Sequence, residues 1–284
     1  MKNIRIAFVF ILSVVLTTGF VRAQDVISAK DLQNYLKQDN TILVSVQKTA
    51  DYGKIHITGS VHLDHNLLYN DKTVLLPSSQ VAQILGVNGI SNDMKIVLYD
   101  GGTSKYAGRM YWVLNYLGAT DVKILNGGLP AWKAARKPVT KSVTNAKEAT
   151  FIPHINKDYL ATMSTVKGAV NNNDYVIIDA RTPEEYKGTN ETSIRLGHIP
   201  SAVNINYVNM LNSKGELKSN EELTKLFAEA GATKDKTIIV YCKTSVRAGI
   251  EFFTLKSALN YPNVLVYDGA YSEWQSDSAN KVSL

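Results

Sequence analysis

The sequence TIIVYCKTSVRAGIEFF, residues 237–253, combines an apolar, β-branched run with a following segment whose apolar residues have helical spacing. The first part is typical of a strand buried on both faces, and the second is typical of a helix. Cys242, the only cysteine among 284 residues, lies in the loop between them. Strand–helix alternation of this kind predicts an α/β domain with a mainly parallel sheet flanked by helices.

The chain contains this design twice. KIVLYD (95–100) matches TIIVYC (237–242), so Asp100 stands where the second copy has Cys242. Two further pairs have the same separation of 142 positions, namely His56 with His198 and Trp132 with Trp274. Equal spacing of several landmarks predicts two tandem domains, residues 24–142 and 150–284, joined by the polar stretch 141–149.

The first 23 residues have the pattern of a secretory signal peptide. Lys2 and Arg5 precede the apolar stretch 6–20, and cleavage is predicted after Ala23. The apolar stretch is short for a membrane span, so an anchor is the weaker alternative. We therefore expect an exported protein, periplasmic or secreted, with no stable membrane insertion after cleavage.

The mature chain has a mild charge. Cleavage removes Lys2, Arg5 and Arg22 but no acid, so the formal net charge falls from +6 to +3. This value gives no case for a nucleic-acid partner. It suits a small anionic substrate.

The lone thiol is a candidate reactive group. Paired cysteines form disulfides in exported proteins, but Cys242 has no second cysteine in its chain. Loops after the carboxyl ends of parallel strands are the usual place of chemistry. A tight loop before a helix directs N–H groups and partial positive charge at one point, and Lys243 and Arg247 add full charges. Such surroundings favour a thiolate, with a pKa of roughly 3.5–7.5 instead of about 8.5. The alternative is a buried cysteine that acts as a small hydrophobe.

Four motifs occur in the order typical of one protein family. They are DAR (179–181), GHIPSAVNI (197–205), YCKTSVRA (241–248) and YDGAYSEW (267–274). The two copies resemble tandem rhodanese domains over about residues 30–280. The resemblance implies a sulfurtransferase that passes a sulfane sulfur through a cysteine persulfide. It also implies a small anionic donor, thiosulfate or mercaptopyruvate, and a thiol or cyanide acceptor, with no cofactor and no metal.

The resemblance also implies roles for individual residues. Cys242 would attack the donor, and the backbone N–H groups of the loop would stabilise the persulfide. The loop residues expected to bind substrate are Lys243, Thr244, Ser245, Val246 and Arg247, with hydroxyl hydrogen bonds from Thr244 and Ser245. Asp179 would brace the loop.

One position departs from the family pattern. Well-known two-domain members have a substrate-binding arginine where this chain has Glu185. Arg195 or Arg181 would then bind substrate instead. The alternative for Arg181 is a structural ion pair with Glu184 or Glu185.

The length and the charge of the loop restrict the range of possible substrates. Four residues separate Cys242 from Arg247, whereas related phosphatases have five, so the loop should fit a sulfur atom and exclude phosphate. Two cations suit the dianion thiosulfate better than mercaptopyruvate, which remains the alternative donor. A non-catalytic persulfide carrier or sensor is a second alternative. A redox protein is a third, although no resolving cysteine is present.

The first copy should be inert. Its Asp100 cannot hold a persulfide, and Ser45 and Gln47 replace the Asp179 and Arg181 of the second copy. It could supply Tyr106 or Arg109 to a pocket between the domains.

Other polar and aromatic residues have simpler interpretations. His56, His198 and the two matching tryptophans are expected to pack. The sequence HLDH (62–65) is expected to be a solvated loop and not a metal site.

Overall fold

The computed structural model describes residues 25–189 and 195–284. The signal peptide predicted for residues 1–23 lies outside these ranges. Within them, no helix is both long and apolar enough to cross a membrane.

The first copy alternates strands and helices. Its elements are β1 (Val26–Ile27), α1 (Ala29–Tyr35), β2 (Thr41–Ser45), α2 (Thr49–Lys54), β3 (His56–Ile57), β4 (Val61–His62), α3 (Ser78–Val87), β5 (Lys95–Tyr99), α4 (Lys105–Tyr116), β6 (Asp121–Leu125), α5 (Gly128–Ala134) and β7 (Val139–Thr140), with a 3-10 helix at His65–Leu68.

The second copy repeats the alternation. Its elements are β8 (Leu160–Ala161), α6 (Met163–Ala169), β9 (Tyr175–Asp179), α7 (Pro183–Tyr186), β10 (Val203–Asn204), α8 (Asn220–Glu229), β11 (Thr237–Tyr241), α9 (Ala248–Phe253), β12 (Val264–Tyr267) and α10 (Ala270–Ser276), with 3-10 helices at Lys157–Tyr159 and Tyr207–Met210.

Both copies have one five-stranded sheet with the same strand order. The first sheet runs β1-β6-β5-β2-β4 and the second runs β8-β12-β11-β9-β10, with every neighbouring pair parallel. The central strands β5 and β11 are almost entirely buried, which explains their continuous apolar runs. The predicted fold class, tandem α/β domains with mainly parallel sheets, is confirmed.

The helix that follows the cysteine loop ends sooner than the sequence predicts. An α-helix through residues 246–259 is expected, but α9 stops at Phe253 and a π-helical turn, Thr254–Ala258, follows. Thr254 donates its hydroxyl to the carbonyl of Ile250 at 2.8 Å. Side-chain bonds of this kind compete with the regular helical ladder.

The two copies pack together where α4 crosses α9. A Cβ atom added to Gly108 would lie 2.6 Å from the backbone nitrogen of Ile250, and one added to Gly249 would overlap the backbone of Arg109. Glycines on both sides therefore let the helix backbones touch. The largest apolar cluster contains buried residues from both sheets, so this crossing joins two domains through one continuous core.

Candidate active site

Cys242 lies where the sequence predicts, directly after β11 in the loop that leads to α9. The residue is only 1% exposed. The start of α10 anchors this loop, because the backbone N–H of Tyr271 donates to the carbonyl of Cys242 at 2.9 Å and that of Ser272 to the carbonyl of Lys243 at 3.1 Å. The sulfur thus lies beneath the surface in a fixed loop.

The loop offers a series of backbone donors. Among the described residues, the N–H groups of Thr244, Ser245, Val246 and Arg247 have no acceptor. Ser245 has a φ of 59°, and this left-handed conformation turns the chain sharply between β11 and α9. Consecutive N–H groups without acceptors at a turn form an anion-binding feature.

The serine hydroxyl of the loop is not available to a substrate. The Ser245 side chain is fully buried and donates to the carbonyls of Tyr267 at 2.5 Å and Asp268 at 3.2 Å. The expectation that this hydroxyl donates to substrate is therefore wrong, because it fixes the loop against the end of β12. Thr244 lines the cleft described next.

A cleft of about 530 Å³ separates the loop from the first copy. Thr244, Val246 and Arg247 form one side, whereas Lys243 does not line it. The opposite wall comes from the first copy and includes Lys48, His65, Asn66, Tyr69, Lys105 and Tyr106. The first copy therefore provides most of the residues that line the cleft, and Tyr106 is one of them, as the sequence suggested.

Arg109 takes no part in this cleft. Its guanidinium is fully buried and forms an ion pair with Asp268. It also donates to the hydroxyl of Tyr69 at 3.0 Å and lies over the ring of Trp112. Arg109 is a structural residue of the domain joint.

Arg247 is held by an acid in the cleft region. Its two terminal nitrogens donate to the Glu185 carboxylate at 2.5 and 2.9 Å. Burial opposes the charge on Arg247, but the hydrogen bonds to Glu185 and the adjacent Cys242 sulfur raise the arginine pKa. Burial likewise opposes the charge on Glu185, yet its bonds to Arg247 lower the pKa of that carboxyl. Both side chains are ionised at neutral pH, so the cation next to the thiol is already partly neutralised.

Asp179 and Arg181 form a buried pair at the end of β9. Asp179 accepts from the Arg181 backbone N–H at 3.0 Å, from its guanidinium at 2.6 Å and from the hydroxyl of Tyr241 at 2.6 Å. Arg181 is 0% exposed, donates to the carbonyl of Gly197 at 2.8 Å and lies over the ring of Tyr271. Asp179 therefore braces the strand end. Arg181 does not reach the cleft, and its partner is Asp179 instead of Glu184 or Glu185.

Arg195 is also remote from the cleft. Its guanidinium donates to the carbonyl of Asp277 at 3.1 Å and to that of Asn280 at 2.7 Å. It holds the C-terminal segment behind α10. The expectation that Arg195 replaces a missing substrate-binding arginine is wrong for this reason.

Sequence reasoning missed a buried acid beside the loop. Glu251 on α9 is fully buried, and neither carboxylate oxygen has a hydrogen-bond partner among the described residues. Burial, followed by the charges of Asp179 and Cys242, raises its pKa well above the ordinary value. The available signal was one acid within the apolar run AGIEFF of α9.

The histidines divide into two groups. His56 and His198 have the expected packing role, because their Nδ1 atoms contact the carbonyls of Tyr52 at 2.8 Å and Tyr186 at 2.9 Å. His65 is not part of a solvated loop, as was expected, but is 4% exposed and lies 4.1 Å from the Tyr106 ring. Burial and nearby cations lower its pKa to about 4. No set of three metal-ligating side chains occurs in residues 25–189 and 195–284.

In the first copy, the residue that corresponds to Cys242 is Asp100, and its carboxylate is bound by backbone N–H groups. The Asp100 carboxylate accepts four backbone N–H groups, from Gly102 at 2.8 Å, Ser104 at 3.0 Å, Tyr106 at 3.1 Å and Ala107 at 3.4 Å. The loop after β5 is therefore an anion-binding loop occupied by its own side chain.

Comparisons with known proteins agree with this architecture. The family model described as Rhodanese-like domain matches residues 28–135 and 162–277. The "Sulfur carrier protein TtuD" of Thermus thermophilus is 31% identical over 271 residues, 90% of this chain and 95% of that protein. The "Putative thiosulfate sulfurtransferase" of Mycobacterium leprae is 32% identical over 267 residues, 90% of this chain and 96% of that protein.

A solved structure shares the fold at lower identity. The anaerobic ergothioneine biosynthesis enzyme from Chlorobium limicola, crystallised with trimethyl histidine, superposes with a TM-score of 0.83 at 22% identity. The match covers 91% of this chain and 70% of that one. Taken together, two buried parallel sheets, two family matches and a cysteine loop at a domain cleft define the class: this chain belongs to the rhodanese family of sulfurtransferases.

Proposed function

We propose that this protein is a thiosulfate sulfurtransferase that forms a persulfide on Cys242. The observation that carries the proposal is the series of N–H groups without acceptors at residues 244–247, which follow a lone thiol and open into a cleft. The first copy shows that a loop at this position binds a carboxylate through four N–H groups. A persulfide carries comparable negative charge.

The reaction needs two displacements. The Cys242 thiolate attacks the outer sulfur of thiosulfate, the sulfur–sulfur bond of the donor breaks, and sulfite leaves with the bonding electrons. An acceptor, either cyanide or a thiolate, then attacks the outer sulfur of the persulfide and restores the Cys242 thiolate. Covalent catalysis of this kind gives ping-pong kinetics. The loop N–H groups stabilise the negative charge of the terminal sulfur in both steps.

The positive charge of the cleft supports an anionic donor. The residues that provide this charge differ from those that the sequence suggests. Lys243 does not line the cleft, and Arg247 is paired with Glu185. Lys48 and Lys105, both from the first copy, provide further cations in the cleft, against one lining acid, Asp71. A small donor also suits the 1% exposure of Cys242.

The decisive experiment is mass spectrometry of the purified chain after exposure to thiosulfate. The peptide that contains Cys242 should gain the mass of one sulfur atom, and cyanide should remove it while thiocyanate accumulates over many turnovers. Cys242→Ser should show neither effect. Full turnover by Cys242→Ser would overturn the proposal, and faster turnover with mercaptopyruvate than with thiosulfate would assign that donor instead.

A carrier function is the second candidate. The name of the Thermus thermophilus relative, a sulfur carrier protein, favours it. A carrier would gain one sulfur atom per chain but would release it to thiol or cyanide only in single-turnover amounts.

We also propose that the protein acts after export. The positive residues, the apolar stretch and the Val21-Arg22-Ala23 sequence support a cleaved signal. The mass of the chain recovered from the periplasm or the medium should correspond to a protein that begins at Gln24.

A further inference from the structure

A second cavity opens in the first copy, in front of the loop that carries Asp100. It measures about 590 Å³. Its wall includes Gln47 after β2, Gly101 and Thr103 from the loop itself, and Leu129 of α5. This is the carboxyl end of the first sheet, the place that Cys242 has in the second. The volume is within the usual range of small-molecule sites, roughly 300–1,000 Å³.

The cavity is strongly basic. Four lysines line it, at positions 48, 54, 105 and 133, against one acid, Asp51. The Asp51 carboxylate lies 3.1 Å from the Lys54 ammonium and so offsets that lysine. Among the described residues, Lys48, Lys105 and Lys133 have no carboxylate within 4.0 Å. Three ammonium groups without a described carboxylate partner around one opening favour an anionic occupant, although Lys105 also lies over the rings of Tyr106 and Tyr207.

The Asp100 loop cannot hold that anion itself. All four of its convergent N–H groups already bind the Asp100 carboxylate, as described above. An incoming anion would therefore be bound by the lysine side chains in front of the loop, with Lys133 at the end of the cavity on α5.

The cavity adjoins the cleft that lies in front of the loop after β11. Lys48, Lys105 and Tyr106 line both spaces. A ligand can therefore have one end beside Arg247 and the other beside Lys133. Burial is the main cause of the lowered pKa of His65, and the charges of Lys48 and Lys105 lower this pKa further.

We propose that the cavity of the first copy binds the carboxylate end of the sulfur acceptor, a thiol of about tripeptide size. Its sulfur would reach Cys242 through the shared wall, and Lys48, Lys105 and Lys133 would hold its carboxylates. Binding at this distance from the sulfur would align the acceptor for attack on the persulfide. Thiosulfate is too small to contact both ends, so this subsite would distinguish acceptors and not donors. The inference rests on the proposed persulfide chemistry of Cys242.

The matched probes are glutathione, which has two carboxylates, and its diethyl ester, which has the same skeleton without them. With thiosulfate saturating, the KM for glutathione should be several-fold lower than that for the ester. Lys133→Gln should raise the KM for glutathione about threefold to tenfold, the effect of one lost charge-assisted contact. It should leave the KM for the ester, turnover with cyanide and loading of Cys242 with sulfur unchanged.

Lys30→Gln is the control variant, because Lys30 is exposed on α1 and lines neither cavity. Equal KM values for glutathione and its ester in the unaltered protein, or equal effects of the two lysine variants, would overturn the inference. Normal persulfide loading and cyanide turnover in the same samples would show that the proposed function survives.

A binding measurement is independent of sulfur transfer. Calorimetry with S-methylglutathione, which has no thiol, should give weaker binding to Lys133→Gln than to the unaltered protein and to Lys30→Gln. Binding that is unaffected by Lys133→Gln would overturn the subsite even if no persulfide forms.

Discussion

The loops after β5 and β11 occupy the same place in two copies of one fold, yet they present opposite states of an anion-binding loop. In the first copy, the Asp100 carboxylate accepts four N–H groups, two from its own loop and two from the first turn of α4. In the second copy, Cys242 replaces the acid, and N–H groups at 244–247 have no acceptor among the described residues. The fold thus provides anion binding twice, and a single side chain determines whether the loop binds its own residue or an external group.

Acidic residues near the two loops differ in a complementary way. Asp51 and Glu185 occupy matching positions, each directly before a tyrosine that stacks on a histidine. Asp51 pairs with the exposed Lys54, whereas Glu185 pairs with Arg247 beside the thiol. In the described part of the chain, the first copy therefore keeps lysines without a carboxylate partner around its cavity, while the cation beside Cys242 in the second copy is held by an acid.

Exchange of the two loop residues tests this contrast with the largest expected effect. In Cys242→Asp, the introduced carboxylate should accept the loop N–H groups, as Asp100 does. Turnover of thiosulfate and cyanide should fall by about 1,000-fold or more because the nucleophile is absent. Thiocyanate production measures the loss, and circular dichroism should show an unchanged fold.

The reciprocal variant separates the thiol from its surroundings. Asp100→Cys in a Cys242→Ser background should not recover turnover, because Ser45 and Gln47 stand where Asp179 and Arg181 brace the second loop. Recovery of a tenth of the original rate would show that any thiol in such a loop suffices and would remove the distinction between the copies.

The joint between the copies depends on a close helix crossing. A methyl group added at Gly249 would overlap the backbone of Arg109, whereas one added at Gly168 on α6 would meet nothing within 4 Å. Gly249→Ala should lower the free energy of unfolding by about 1–3 kcal/mol through overpacking. Gly168→Ala should raise it by up to about 1 kcal/mol because alanine is the better helix former. Urea unfolding of the pair measures both, and an equal response would mean that the α4–α9 contact does not limit stability.

The sequence predicted the elements that depend on local pattern. Continuous apolar runs predicted β5 and β11. The spacing of Ser219 and Glu222 is typical of a capping box, and such a box is present at the start of α8. The spacing of Asp100 and Cys242 predicted the tandem repeat. These features succeed because neighbouring residues in the chain determine them.

The partners of the charged residues were not predictable in this way. Arg181, Arg195 and Arg247 have the same chemistry in the sequence, but one pairs with Asp179, one with carbonyls of the C-terminal segment and one with Glu185. His65 is separated from the loop of Cys242 by more than 170 positions in the chain and yet lines the same cleft. Such roles depend on long-range packing, which local periodicity does not contain.

Glu251 makes the stability of the second copy depend on pH. Its raised pKa means that the folded chain keeps a proton that the unfolded chain releases above the ordinary glutamate pKa of 4.5. The contribution of Glu251 to stability is therefore most favourable below pH 4.5 and falls as the pH rises toward the folded pKa. Glu251→Gln has no proton to release at this position, so its advantage over the unaltered chain should grow by up to about 1.4 kcal/mol per pH unit.

Unfolding free energies of both proteins, measured at roughly pH 5, 6.5 and 8, would show whether the difference between them grows with pH. Glu148→Gln, which removes an exposed acid from the polar joint, should change stability by less than about 0.5 kcal/mol. A Glu251→Gln advantage that stays constant with pH would mean that Glu251 is ionised in the folded protein and has a partner in solution.

The smallest expected effect concerns the acid next to Arg247. Gln in place of Glu185 keeps the shape and one acceptor for the guanidinium but removes the negative charge. If the acid only competes with the donor for Arg247, then Glu185→Gln should lower the KM for thiosulfate about threefold to tenfold and leave kcat unchanged. Glu184→Gln is the matched control, because Glu184 is exposed and adjacent in the chain. A fall in kcat without a lower KM would reverse this interpretation. It would mean that the ion pair holds Arg247 in position for the transfer, so that the acid in the second copy contributes to catalysis by fixing the cation beside the sulfur.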